Sequence, residues 1–268
     1  MKKITALVLI LVMLLGLAGC GKSQAVKDAE AAISAIGEVG IDSEELILKA
    51  EKLYNILTDS EKSDVSNRLE LVEARETFDS IQKELVYENA KKAYETLNEA
   101  ADICFKGMDD IYGAWYFGIY KRSKVASYEN IFEKLAAETP HFSKAQLEEA
   151  AENFGTMLGL KNPKDAVGLL IKADWQYCLQ LVEVAIMLRG DYDTIDSLMK
   201  DAQSILQELT GEYADYKYYP KLKEYYATVS SYAEFFKSPT GSFEQLKDTI
   251  NNYENNIRTY QTDVGFLF

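Results

Sequence analysis

The chain has one histidine, His141, three cysteines and four prolines in 268 residues. A single imidazole cannot supply the paired Glu-x-x-His motifs of a bundle di-iron site. His-Glu-x-x-His does not occur, so a zinc-protease site lacks its ligands. Gly-x-Ser-x-Gly is absent, as is the phosphate-binding glycine loop. Gly21-Lys22-Ser23 has that loop's last letters without the strand and glycine that precede them. No metal and no cofactor is therefore expected. Basic residues are also scarce, 29 against 43 acidic ones, for a net charge of −14. Such a surface repels nucleic acid and anionic head groups, so no nucleic-acid partner is expected. Alternating apolar and polar residues of the β type are missing, which excludes the two α/β lobes of the usual uptake receptors.

Helix signals fill the space that these absences leave. N-cap acceptors stand three residues before Glu or Gln at Asp42/Glu45, Thr58/Glu61, Asn67/Glu70, Ser143/Gln146 and Ser242/Gln245. Asn162-Pro163 offers a cap followed by proline at the first helical position. Gly37, Gly190, Gly211 and Ser238-Pro239 read as stops. Between them, apolar residues recur at steps of three and four: Val26, Ala29, Ile33, Ile36; Leu46, Ala50, Leu53, Leu57; Leu69, Val72, Phe78, Ile81; and Leu222, Tyr225, Val229, Tyr232, Phe236. The third stripe runs on through Leu85, Ala93 and Leu97. The fold class expected is all-α, with a three-helix unit over residues 26–84 and a larger antiparallel bundle of five or six helices over 85–268.

The first residues are organised differently. Met1-Lys2-Lys3 is basic, Ile4 to Gly19 is apolar, and the stretch is shorter than the about 20 residues a spanning helix needs. These are the regions of a secretory signal. It ends in Leu17-Ala18-Gly19-Cys20, which resembles the lipobox of bacterial lipoproteins. That resemblance implies a signal peptide over 1–19, a diacylglyceryl group on the Cys20 thiol, and a short lipidated tether over 20–25. It also implies a chain held on the outer face of a cell membrane, with the membrane itself as partner; two acyl chains suffice for stable anchoring. Residues Ala35-Ile36-Gly37, Ile41-Asp42-Ser43, Ala50, Tyr54, Leu57-Thr58, Lys62, Val65 and Asn67 are similar to a helical repeat found on extracellular proteins of Gram-positive gut bacteria, often as a spacer. The remainder resembles uncharacterised helical surface lipoproteins, which brings no activity with it.

Few residues suggest chemistry of their own. Arg189-Gly190-Asp191 copies an integrin-binding tripeptide, yet each residue is already explained as a basic helix end, a left-handed stop and an acidic helix start. A calcium loop beginning at Asp191 would need Gly and Glu where Asp196 and Ala202 stand. His141 reads as an exposed loop residue before the Ser143 cap. Cys104 and Cys178 read as small buried apolar side chains, with a disulfide as the alternative. The aromatic enrichment is the one feature that suits a partner: Tyr116, Phe117, Tyr218 and Tyr219 are the expected exposed patch, for a protein or a glycan. Val264 to Phe268 is expected to dock on the bundle. Three readings stand: a non-catalytic surface lipoprotein serving as a structural or interaction module, a carbohydrate- or peptide-binding lipoprotein associated with uptake, and a hydrolase built on two carboxylates. No spacing of Asp or Glu selects a pair for the last.

Overall fold

The computed structural model describes residues 21–125, 130–162, 165, 168, 175–209 and 217–268. The signal peptide expected over residues 1–19 and Cys20 lie outside them, as do Gly211 and Pro163. Among the described residues every regular element is helical, and no helix is long and apolar enough to cross a membrane. The chain divides into two compact units, the first ending at Leu85 and the second beginning at Val86.

The first unit holds α1 (Gln24–Ser34), α2 (Glu44–Asn55), the short α3 (Asp59–Asp64) and the start of α4 (Arg68–Tyr116). Helix α1 begins at Gln24, inside the stretch 20–25 expected as a tether, because the Ser23 hydroxyl accepts from Val26 N–H. Val26, Ala29, Ile33 and Ile36 are all buried, and so are Ala50 and Leu57 of the second stripe. Thr58 and Glu61 form a complete capping box. Two caps differ from expectation. α2 begins one residue late, with Ser43 at the N-cap and its hydroxyl taken by Gly40 N–H at 2.9 Å. The Asn67 amide donates instead to Glu30 O and Ser34 Oγ, both at 3.1 Å, tying α1 to the start of α4. The stripes also shift. Ile47, Leu71, Ala74 and Phe78 are buried, whereas Leu46, Leu69 and Val72 are exposed. Residues 71, 74 and 78 keep helical spacing as well as 69 and 72 do, and packing chose between the two phases. Arg75 crosses to Glu51 with two bonds of 2.7 Å, a bidentate pair.

The second unit is built on the remainder of α4, followed by α5 (Ile131–Ala136), α6 (Lys144–Met157), α7 (Gln176–Arg189), α8 (Asp191–Glu208), α9 (Tyr219–Lys237) and α10 (Phe243–Gly265). Ser143/Gln146 and Ser242/Gln245 form complete capping boxes at α6 and α10. Leu222, Tyr225, Val229, Tyr232 and Phe236 all face inward and are wholly buried. Neighbours α6 and α7, α8 and α9, and α9 and α10 pack against one another. The chain end docks as expected: Val264 is buried, and the Phe268 ring lies 5.5 Å from Tyr87 and 5.6 Å from Tyr94. Cys104 and Cys178 are buried, free thiols, so the disulfide alternative is not realised.

Candidate functional site

The most concentrated polar chemistry lies about two turns before the end of α4, around the adjacent residues Asp109 and Asp110. Gly113, one turn on, is what lets other chain reach them. A Cβ there would stand 1.7 Å from Glu138 O, so only glycine allows the turn after α5 to rest on the α4 backbone. That turn carries Thr139 and His141. Thr139 is fully buried and returns its hydroxyl to Leu135 O at 3.0 Å. His141 donates its backbone N–H to Asp110 Oδ1 at 3.0 Å, and its Nδ1 stands 3.4 Å from the same oxygen. His141 is thus half-buried and turned to a carboxylate rather than to solvent, a departure from the loop residue expected. Glu138 stands at Glu-x-x-His spacing from His141, but Pro140 intervenes, the segment is a turn, and Glu138 pairs with Lys121.

Asp110 itself is wholly buried, and its second oxygen receives Arg189 Nη1 at 3.3 Å and Nη2 at 3.4 Å. Arg189 ends α7. Gly190 follows at φ 81°, a left-handed turn that a side chain resists, and Asp191 opens α8. The reversal folds Asp191 back onto the guanidinium, with Nε 3.0 Å from each carboxylate oxygen and Nη2 2.7 Å from Oδ2. Arg189 also reaches His141 O at 3.2 Å and lies 4.2 Å from the centre of the Phe142 ring. Burial raises the Asp110 carboxyl above its ordinary value, against the pull of the His141 amide and Arg189. Burial also opposes the charge on Arg189, but Asp191 and Asp110 outweigh it and hold that guanidinium above its ordinary value. Three helices and a turn are closed around one charge network. The Arg-Gly-Asp letters serve helix ends, as expected, and further serve this network.

Asp109 faces the other way. With Glu254, Tyr112, Lys247, Ile250 and Asn251 it lines a cavity of about 200 Å³. Burial raises both carboxyls, and the neighbouring Asp109 raises Glu254 further; Arg258, one turn from Glu254, opposes both shifts. Behind them the Tyr232 hydroxyl is buried with no hydrogen-bond partner among the described residues, and burial followed by the Glu254 charge pushes its pKa up. This is the carboxylate pair that no spacing selected, since its members lie on α4 and α10. The cavity is below the about 300–1,000 Å³ of ordinary ligand pockets.

The expected aromatic patch does not form. Phe117 is wholly buried. Phe117 lies three and seven residues after the buried Ala114 and Asp110, so it continues the inward face of α4 where the helix widens to a π-helix over Phe117–Lys121. Tyr116 is half-buried, 5.2 Å from Tyr120, 6.3 Å from Phe243 and 5.1 Å from the Lys121 ammonium. Tyr219 packs against the cluster of Val86, Leu222 and Val264, while Tyr218 is half-buried with Lys217 at 5.3 Å from its ring. Tyr116 thus touches the start of α10 and Tyr219 shares a cluster with its end, roughly 30 Å away at 1.5 Å per residue. Comparison with known protein families, characterised proteins and solved structures yields no match.

Proposed function

We propose that this chain is a non-catalytic surface lipoprotein, anchored through diacylglyceryl on Cys20 to the outer face of a cell membrane, and that its helical bundle is a structural or interaction module. The sequence Leu17-Ala18-Gly19-Cys20 after an uncharged run carries the anchor. The closure of the Asp110 network carries the non-catalytic part. The buried carboxylate, the guanidinium and the Asp191 carboxylate spend their bonds on one another, which holds α4, α7 and α8 together and leaves none aimed at a substrate.

A second reading, ligand binding, is favoured by the cavity of Asp109 and Glu254, where two carboxylates and Tyr112 meet. A small hydroxylated ligand such as a sugar suits those groups. Metabolic labelling with an alkyne fatty acid tests the anchor. The chain should incorporate label and sediment with membranes, and Cys20→Ser should lose both. Label retained by Cys20→Ser would refute it. Thermal-shift screening against sugars separates the two readings, since a ligand that raises the melting temperature of the wild type and not of Asp109→Asn supports the second.

A further inference from the structure

The second unit has one apolar groove whose chemistry is unfinished. It opens between the end of α6, the outer face of α7 and the α8 start, with a volume of about 480 Å³, and Phe154, Met157, Glu183, Val184, Met187 and Tyr192 line it. Met157 is 64% exposed and Met187 46%, with Leu158 and Leu188 beside them in sequence each 44% exposed. Large apolar side chains clustered in water at a concave surface mark a contact site. Methionines supply the polarisable and rotationally free lining that accepts varied apolar side chains.

Glu183 sits in this lining, half-buried, with no hydrogen bond or ion pair among the described residues. Burial alone raises its carboxyl, and the groove's one ammonium, Lys237, is engaged by Asp196 and Glu234. A half-buried carboxylate without a partner is costly, and a cation arriving from outside would relieve it.

We propose that this groove is a docking site for a peptide segment of a partner protein that presents a Lys or Arg side chain between large apolar side chains. The charge fits, for the chain is net −14 and the groove holds one uncompensated negative group. The shape fits as well: the volume takes two or three side chains, and apolar anchors beside a cation match the face of a basic amphipathic helix. The inference rests on the bundle being an interaction module.

The test is fluorescence anisotropy of a labelled 14-residue Leu/Lys amphipathic peptide added to the full chain, with a Leu/Glu peptide of the same pattern as control. The Leu/Lys peptide should bind and the Leu/Glu peptide should not. Glu183→Gln and Met187→Ser should each weaken binding about tenfold, the size of one lost charge or anchor contact. Glu148→Gln, on the solvated face of α6, should leave it unchanged. Because Glu183 has no hydrogen bond or ion pair among the described residues, Glu183→Gln should keep the fold, which an unchanged melting curve verifies. Absence of binding, or equal weakening by Glu183→Gln and Glu148→Gln, would overturn the groove and leave the anchored module standing. Loss of the anchor reading would instead show in the Cys20 labelling, with peptide binding intact.

Discussion

Arg189 and Asp191 close on one another across Gly190, with Nη2 2.7 Å from Asp191 Oδ2 and Nε 3.0 Å from both carboxylate oxygens. The same guanidinium continues inward to the buried Asp110. A tripeptide that an integrin would read as an exposed loop is here folded onto itself, so its charges are satisfied within the chain.

Removing that guanidinium strands a buried carboxylate. Arg189→Met should lower the unfolding free energy by about 3 kcal/mol, the usual cost of breaking one side of a buried ion pair. Asp110→Asn in the same background should recover part of the loss, because the stranded group is then neutral. Urea denaturation of the two single variants and the double variant measures both; independent, additive effects would show that the pair does not couple.

Gly113→Ala places a methyl group where Glu138 O now sits. The turn carrying Thr139 and His141 must move off α4, at a cost of about 3 kcal/mol by the scale of overpacked contacts. The His141 amide would lose Asp110. The hydrogen-exchange protection of the His141 amide should fall further than that of the amides within α4, and uniform loss would contradict the local account.

The acids of the small cavity set one limb of the pH dependence. Burial raises Asp109 and Glu254 above their ordinary values, so between the unfolded and folded values the native state binds more protons than the unfolded state. Stability from these two groups is therefore present at acid pH and declines as pH rises through that window. Glu254→Gln removes the ionisation, and its gain in urea midpoint over wild type should grow from pH 4 to pH 7. A gain that shrinks would reverse the sign.

Glu30 sets the opposite limb in the first unit. Hydrogen bonds from Lys22 and Ser66 lower its carboxyl from 4.5 to about 2. A depressed folded value means stability present above 4.5 and lost as pH falls towards 2. The protection factors of the Ile33 and Val65 amides should therefore fall as pH drops below 4.5, and Glu30→Gln should flatten that dependence.

Burial pushes the thiols of Cys104 and Cys178 up to about 12. At pH 8 neither is a thiolate, so neither should react with iodoacetamide in the native chain. Both should react in urea, and mass spectrometry of the labelled peptides distinguishes the states.

The separation between what was legible and what was not follows the range of the forces involved. Helical class, the capping boxes at Thr58, Ser143 and Ser242, and the inward seam from Leu222 to Phe236 depend on neighbours three or four residues away, so they can be read along the chain. The resemblance of Leu17-Ala18-Gly19-Cys20 to a lipobox rests on a local string of the same kind. The phase of the early stripes was ambiguous, because Leu69 and Leu71 both begin a helical spacing and only packing against α1 and α2 decides which is buried.

The apolar run ending in Cys20 belongs wholly to the sequence, as do the charge balance and the absence of paired histidines. Pairing Asp109 with Glu254 and Asp110 with Arg189, turning Phe117 inward and leaving Glu183 without a partner among the described residues in a methionine-lined groove belong to the tertiary structure. Partners separated by 79 to 145 positions meet only when helices pack, and no periodicity within one helix encodes its neighbour's register.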